Sequence, residues 1–185
     1  QGDARAPDLA ARPARAGTRV RHVANLPYSI SGPLLPRLLD LRARLVDWSV
    51  MLQRDGAQRL LAEPGTRDYG SLAVLHSLCV DVSRGMDLSP RCFYPVPKVR
   101  STFIRVQPRK DTRLSRDELG ALEVCVRAAF SKRRKTLANA MKDRLGDDAA
   151  AAISACGVDP GLRAQQLSPE SFLELARGLA PRLEA

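Results

Sequence analysis

The sequence predicts a mixed α/β protein: a partial open sheet with crossover helices over residues 1–109, then a small all-helical domain over 110–185. Three observations carry this. Up to about Pro108, short apolar runs alternate with helical patterns, the texture of an α/β sheet. After "RKDT" the apolar period becomes helical throughout. The charge balance shifts at the same place: residues 1–109 carry 17 basic and 9 acidic residues, and 110–185 carry 13 and 11.

Taken in order, "VRHVAN" reads as a strand, "GPLLPRLLDLR" as a helix, "LVDWSVMLQ" as a strand and "GAQRLLA" as a helix. "SLAVLHSLCV" is helix-like and "VDVSRGMDLS" strand-like. In "VRSTFIRVQP", Val99, Phe103 and Ile104 sit in a β-rich run that Pro108 ends. Beyond it, Ser115 with Glu118 three residues on predicts a capping box, followed by Leu119, Leu122, Val126 and Phe130 at helical spacing. Leu137, Met141 and Leu145 repeat the pattern until Gly146, a residue suited to stopping a helix. "DDAAAAISAC" and "SFLELARGL" predict two more helices. There is no internal repeat.

With 44% hydrophobic residues the 185-residue chain can bury a real core. No stretch approaches the ~18 consecutive apolar residues of a membrane span, so no membrane partner is expected. The opening "QGDARAPDLAARPARAG" has no apolar run of the signal-peptide kind. The chain does not begin with Met and is expected to be part of a longer protein. The four cysteines lie 13, 33 and 31 residues apart, with no CxxC pair, and the two histidines form no ligand cluster. Buried, reduced thiols and no metal are therefore expected, as in a cytoplasmic protein. Of 30 basic residues, 25 are arginine. The planar guanidinium suits phosphate oxygens, which favours a nucleic-acid partner; a GC-rich genome would also write an Arg- and Ala-rich text.

Three constellations carry chemistry. "NLPY", residues 25–28, closes a strand-like run, and open α/β sheets place ligands at the C-terminal edges of strands. Pro27 fixes φ and has no N–H, so the turn offers carbonyls, and Asn25 adds a side-chain acceptor. Two convergent acceptors suit an amine with two hydrogens, and Tyr28 supplies a stacking face. An ordinary Asx-Pro turn with a half-buried Tyr28 fits these four letters equally well. "CFYPVPKV", residues 92–99, stiffens Phe93 and Tyr94 with two prolines, ready for a flat ligand or simply covering the core. In "FSKRRKTLANAMK", Lys132, Arg133, Arg134 and Lys135 open a helical pattern, where cations oppose the helix dipole. A polyanion partner would offset that repulsion; a solvated charged face is the plain alternative.

Together and in this order, "NLPYSIS", "MLQRDGAQRLLAEPGTRDYGSLAVL", "FYPVPKVRSTFIRVQPR", "AAFSKRRKTLANAMK" and "RAQQLSPESFLELA" resemble the ribosomal RNA adenine dimethyltransferases of the small-subunit (KsgA) type. The large-subunit Erm type is the nearest rival, and the cationic run and long helical tail look more like the small-subunit enzymes. The resemblance implies a Rossmann-like, seven-stranded methyltransferase sheet that uses S-adenosylmethionine, and a target adenine flipped out of the RNA. It implies that Asn25 and the Leu26 carbonyl hold the exocyclic amine, that Pro27 shapes the turn, and that Tyr28 and Phe93 clasp the ring. Asn25 would also border the cofactor. Asp3 matches the acidic residue that contacts the cofactor's adenine, and residues 132–135 would bind RNA in a C-terminal RNA-binding domain. A monomer acting on the small ribosomal subunit is expected.

Several departures accompany the likeness. The glycine-rich cofactor loop and the acidic ribose-binding residue are absent from the 185 residues, so this chain is expected to bind the cofactor poorly by itself and to be inactive alone. Arg100 stands where the family usually has an acidic residue, and Asp55 where it has Glu. A non-catalytic RNA-binding or ribosome-assembly factor on the same scaffold is the alternative of another class. A DNA adenine methyltransferase would use a related four-residue motif, but the basic run and the tail weigh against it.

Overall fold

The structure, a computed structural model, describes residues 19–25, 28–111 and 114–183, with only the backbone of 28–33. The described chain forms two compact units. The first holds the residues through Leu61 and those from Cys79 to 111; the second holds Ala62–Leu78 and the residues from 114 onward. The sequence places one boundary near Lys110. The structure adds an excursion at 62–78, so the sheet unit is discontinuous along the chain.

The first unit is built on a four-stranded sheet of β1 (Val20–Asn25), β2 (Leu45–Gln53), β3 (Val80–Leu88) and β4 (Ser101–Pro108). Their order is β1-β2-β4-β3, with β1 parallel to β2 and β4 antiparallel to both of its neighbours. The parallel pair is joined by α1 (Tyr28–Asp40), the crossover that such a pair requires. α1 continues through Pro36, which should cost about 3 kcal/mol in a helix interior. Leu34, Leu35, Leu38 and Leu39 explain why it survives: all four are buried, at ~1.5–3 kcal/mol each. β2 is central, and its Trp48, Val50 and Leu52 meet Ile104 and Val106 of β4 in a face at most 2% exposed. β4 begins at Ser101, so Val99 falls in the loop before it, not in the strand as its apolar character suggested. The short helix α2 (Arg54–Leu60) follows β2 without a break.

On the strand face carrying the odd-numbered residues of β2, Asp47 is buried yet charged. Arg21 of β1 meets it at 2.7 Å and Arg105 of β4 at 2.6 Å. Burial raises its proton affinity, but the Arg105 hydrogen bonds and both guanidinium charges outweigh this and hold the carboxyl below its usual range.

The second unit consists of α3 (Ser71–Ser77), α4 (Arg116–Phe130), α5 (Leu137–Leu145), α6 (Ala149–Ala155) and α7 (Pro169–Leu183). α4 opens with the expected capping box: Glu118 N–H donates to Ser115 Oγ at 3.1 Å, and Ser115 N–H donates to Glu118 Oε2 at 2.9 Å. α5 ends at Gly146, whose φ of 78° is the left-handed conformation that glycine adopts without strain. The core joins Leu122 and Val126 of α4 to Leu137 and Met141 of α5 and Phe172 and Leu175 of α7. Phe130 stacks on Phe172 at 5.6 Å and takes the edge of Tyr69 at 6.0 Å. Tyr69 is fully buried, and its hydroxyl donates to the Leu167 carbonyl at 3.0 Å. Among the described residues no helix is long and apolar enough to cross a membrane.

Candidate functional site

The strand registers bring one set of chain ends to a common edge of the sheet. Asn25, the last residue of β1, pairs with Met51, two residues before the end of β2. Gln53 pairs with Ser101, the first residue of β4, and Ser101 pairs on its other side with Leu88, the last residue of β3. The exits of β1, β2 and β3 and the entrance of β4 therefore share this edge. Asn25 is exposed there. β1 ends at Asn25 and α1 begins at Tyr28, so the two ends of the "NLPY" segment belong to a strand and a helix. Leu26, Pro27 and Asp3 lie outside the described residues.

The aromatic loop leaves the same edge from β3. A single 3-10 turn, Pro90–Cys92, is capped by Ser89, and Phe93 N–H closes it on the Pro90 carbonyl at 3.1 Å. Phe93 is half-buried, whereas Tyr94 is 99% exposed and precedes a cis bond to Pro95. The two rings are therefore not equivalent: Phe93 is partly covered and Tyr94 is not. The loop ends where Arg54 N–H donates to the Arg100 carbonyl at 3.0 Å, tying its last residue to the exit of β2.

A bulge fixes where this loop begins. The β3–β4 register shifts between Arg84 and Asp87. Within it, a Cβ on Gly85 would lie 2.9 Å from the Phe103 carbonyl oxygen, closer than side chains approach backbone. Asp87 then accepts from Thr102 at 2.8 Å and from Arg84 at 2.6 Å. These bonds hold its carboxyl below the usual range, the Thr102 hydrogen bond first. Sequence reading missed this anchor. A glycine inside the strand-like "VSRGMDL" was the available signal, since glycine within a strand marks a bulge or a close backbone approach.

In the second unit, the cationic run is not the first turn of a helix. Lys132–Lys135 form a turn after the end of α4, and α5 starts later, capped by Thr136, whose Oγ1 accepts from Asn139 N–H at 3.4 Å. The cations thus follow the negative end of the α4 dipole, and the expected repulsion is relieved by position. Their partners differ. Lys132 meets Asp143 at 2.7 Å in an exposed pair. Arg133 donates through Nη2 to the carbonyls of Arg67, at 2.6 Å, and Tyr69, at 3.1 Å. Arg134 and Lys135 are exposed, and their side chains have no ion pair or hydrogen bond with a described residue.

Among the described residues no group of three or more His, Cys, Asp or Glu could hold a metal ion. The described cysteines are free thiols. Burial raises the proton affinity of Cys79, and pushes Cys125 up to about 12, so neither supplies a thiolate near neutral pH. For a nucleotide-like cofactor, the described part of the edge offers Asn25 and no glycine-rich cradle, so it does not form a complete site for such a group.

A sequence profile of the ribosomal RNA adenine dimethylase family matches residues 5–180. The chain is 40% identical over 167 residues to the ribosomal RNA small subunit methyltransferase A of Aromatoleum aromaticum, covering 90% of this chain and 62% of that one. The protein of the same name from Magnetococcus marinus is 37% identical over 179 residues, covering 97% and 64%. The chain therefore spans a little over three-fifths of the length of these curated relatives. Among solved structures, a dimethyladenosine transferase from Plasmodium falciparum superposes with a TM-score of 0.77 at 22% identity, over 92% of this chain and 70% of that one. The 23S rRNA methyltransferase ErmE gives 0.61 at 22% identity, over 91% and 68%. At that identity these two superpositions establish the methyltransferase fold alone.

Proposed function

The chain belongs to the ribosomal RNA adenine dimethylase family, and from that premise we propose that it is the adenine-clasping and RNA-binding part of an enzyme that dimethylates adenine amines in small-subunit ribosomal RNA. The observation that supports this reading is the convergence of Asn25 and the Phe93 loop on one edge of the sheet. β1 and β3 are three strand spacings apart, about 14 Å. The twelve residues between β3 and β4 have ample reach to return across that distance.

In this reading the Asn25 side-chain oxygen and the Leu26 carbonyl accept the two hydrogens of the flipped adenine's exocyclic amine. That nitrogen's lone pair is delocalised into the ring and is a poor nucleophile. Acceptors aimed at its hydrogens favour the pyramidal form and fix the direction in which the lone pair points. Phe93 and Tyr28 stack on the two faces of the base, at ~1–3 kcal/mol per contact. Pro27 keeps the turn free of a competing N–H. S-adenosylmethionine, when bound, supplies the electrophilic methyl group; Asp3 and Asn25 are this chain's contributions to holding it. Arg134 and Lys135, unpaired in the second unit, take RNA phosphates, with Lys132 and Arg133 beside them. The protein acts as a cytoplasmic monomer on the small ribosomal subunit.

The test is Asn25→Ala in the intact protein. Methyl transfer to ribosomal RNA should fall by at least a hundredfold, the scale of one lost transition-state contact, while RNA affinity stays within twofold. Turnover at the wild-type rate would remove Asn25 from the mechanism.

A further inference from the structure

A cavity of about 200 Å³ opens at the edge just described, lined by Gln53, Arg54, Asp55, Val99 and Arg100. Its two arginines come from segments 46 positions apart and are locked together by the backbone hydrogen bond from Arg54 to Arg100. They flank the final rung of the β2–β4 ladder, Gln53 opposite Ser101. Neither guanidinium forms an ion pair or a side-chain hydrogen bond with a described residue. Four other arginines of the sheet unit are used differently: Arg21 and Arg105 neutralise Asp47, Arg84 holds Asp87, and Arg109 meets Asp81. Asp55 is the one carboxylate in the lining, so the cavity keeps an excess positive charge. Arg54 is near enough to Asp87 to help lower that carboxyl, yet Asp87 already has Thr102 and Arg84 as partners.

We propose that Arg54 and Arg100 form a phosphate-binding subsite for the RNA backbone beside the clasped adenine. This inference rests on the reading of the edge as an adenine site. Asn25 sits opposite Met51, three residues before Arg54 on the neighbouring strand, so the Cα atoms of Asn25 and Arg54 are about 11 Å apart. A separation of that size lets long side chains at 54 and 100 reach a phosphodiester flanking a base held at Asn25. Two guanidiniums on one phosphate fix the direction in which the strand enters, because the fork geometry is matched to the anionic oxygens. An acidic residue at position 100, as in the pattern this chain resembles, would repel a phosphate there, so the subsite depends on residues particular to this sequence.

The experiment is a linkage scan on the intact protein. A single-stranded RNA of about ten uridines around one adenine carries one neutral methylphosphonate linkage, moved position by position. Wild type should lose about tenfold in affinity when the neutral linkage flanks the adenine, as expected for a charge-assisted pair. Arg54→Gln/Arg100→Gln, and the exposed single change Arg100→Gln in case the pair perturbs folding, should be insensitive at that linkage. The double variant should also show a salt slope smaller by ~0.7–1.4. Matching linkage profiles for wild type and variants would overturn the proposal. So would inorganic phosphate that competes with wild type while no linkage position matters, which would make the cavity a site for free phosphate. Methyl transfer by wild type to small-subunit ribosomal RNA is scored separately. Its absence would count against the adenine site itself, whereas transfer with matching profiles would count against the subsite alone.

Discussion

Replacing Arg133 with Gln removes a guanidinium that donates to two carbonyls, Arg67 at 2.6 Å and Tyr69 at 3.1 Å. These bonds span 66 and 64 positions and tie the 67–69 loop to the turn after α4. A hydrogen bond from a charged donor contributes ~1.5–3 kcal/mol when shielded. Arg133 is exposed, so water competes, and ~1–2 kcal/mol for the pair is the reasonable expectation. At about 1 kcal/mol per molar urea for a unit of this size, the midpoint of helical unfolding should drop by ~1–2 M. Arg134→Gln/Lys135→Gln should leave that midpoint within ~0.5 M, since neither side chain has a partner among the described residues. It should instead reduce the salt slope of RNA binding by ~1.4–1.8, the release of two counterions. The assays are urea titration followed by far-UV circular dichroism and RNA binding between 50 and 200 mM salt. If Arg133→Gln leaves stability unchanged and weakens RNA binding as much as Arg134→Gln, the division between a structural and an RNA-facing cation is refuted.

Two further outcomes follow from the sheet unit. Asp47 has its proton affinity lowered in the fold, so the stability it contributes is present above the ordinary carboxylate value, near pH 4, and is lost as pH falls through its depressed folded value. Acid titration of Trp48 fluorescence, the chain's one tryptophan, should show this loss below about pH 4, and Asp47→Asn should flatten the acid limb. Gly85→Ala places a methyl group against the Phe103 carbonyl. It should destabilise the sheet unit by ~1–3 kcal/mol in urea titration, whereas Gly56→Ala, with open space around it, should not.

The local features were legible because they are written in neighbouring letters. Ser115 and Glu118 are three residues apart, and their reciprocal bonds follow from that spacing alone; Gly146 ends α5 for an equally local reason. The strand ending at Asn25 was readable from the β-branched run before it. What the sequence hid depends on distant pairs. Nothing near "SKRRK" reveals that Arg133 is engaged by carbonyls more than sixty residues upstream, so its four cations read as equals. The hydroxyl of Tyr69 is the buried partner of Leu167, 98 positions away, a pairing that no neighbouring letter records. Phe93 and Tyr94 have the same aromatic character in the text, and only the folded loop distinguishes the half-buried ring from the exposed one.

The excursion at 62–78 bears on how this protein can be taken apart. A fragment beginning at Lys110 would include α4 to α7 but leave behind α3 and Tyr69, stripping the edge partner from Phe130 and the donor from the Leu167 carbonyl. The reciprocal fragment would carry Ala73, Val74 and Leu75, buried in the intact chain, without the helices that share their unit. Because the chain passes between units at 61–62, at 78–79 and again between 111 and 114, neither half is a portable cassette. Recombination that grafts a new helical tail onto such a sheet must also import the loop and helix embedded within the sheet's own sequence.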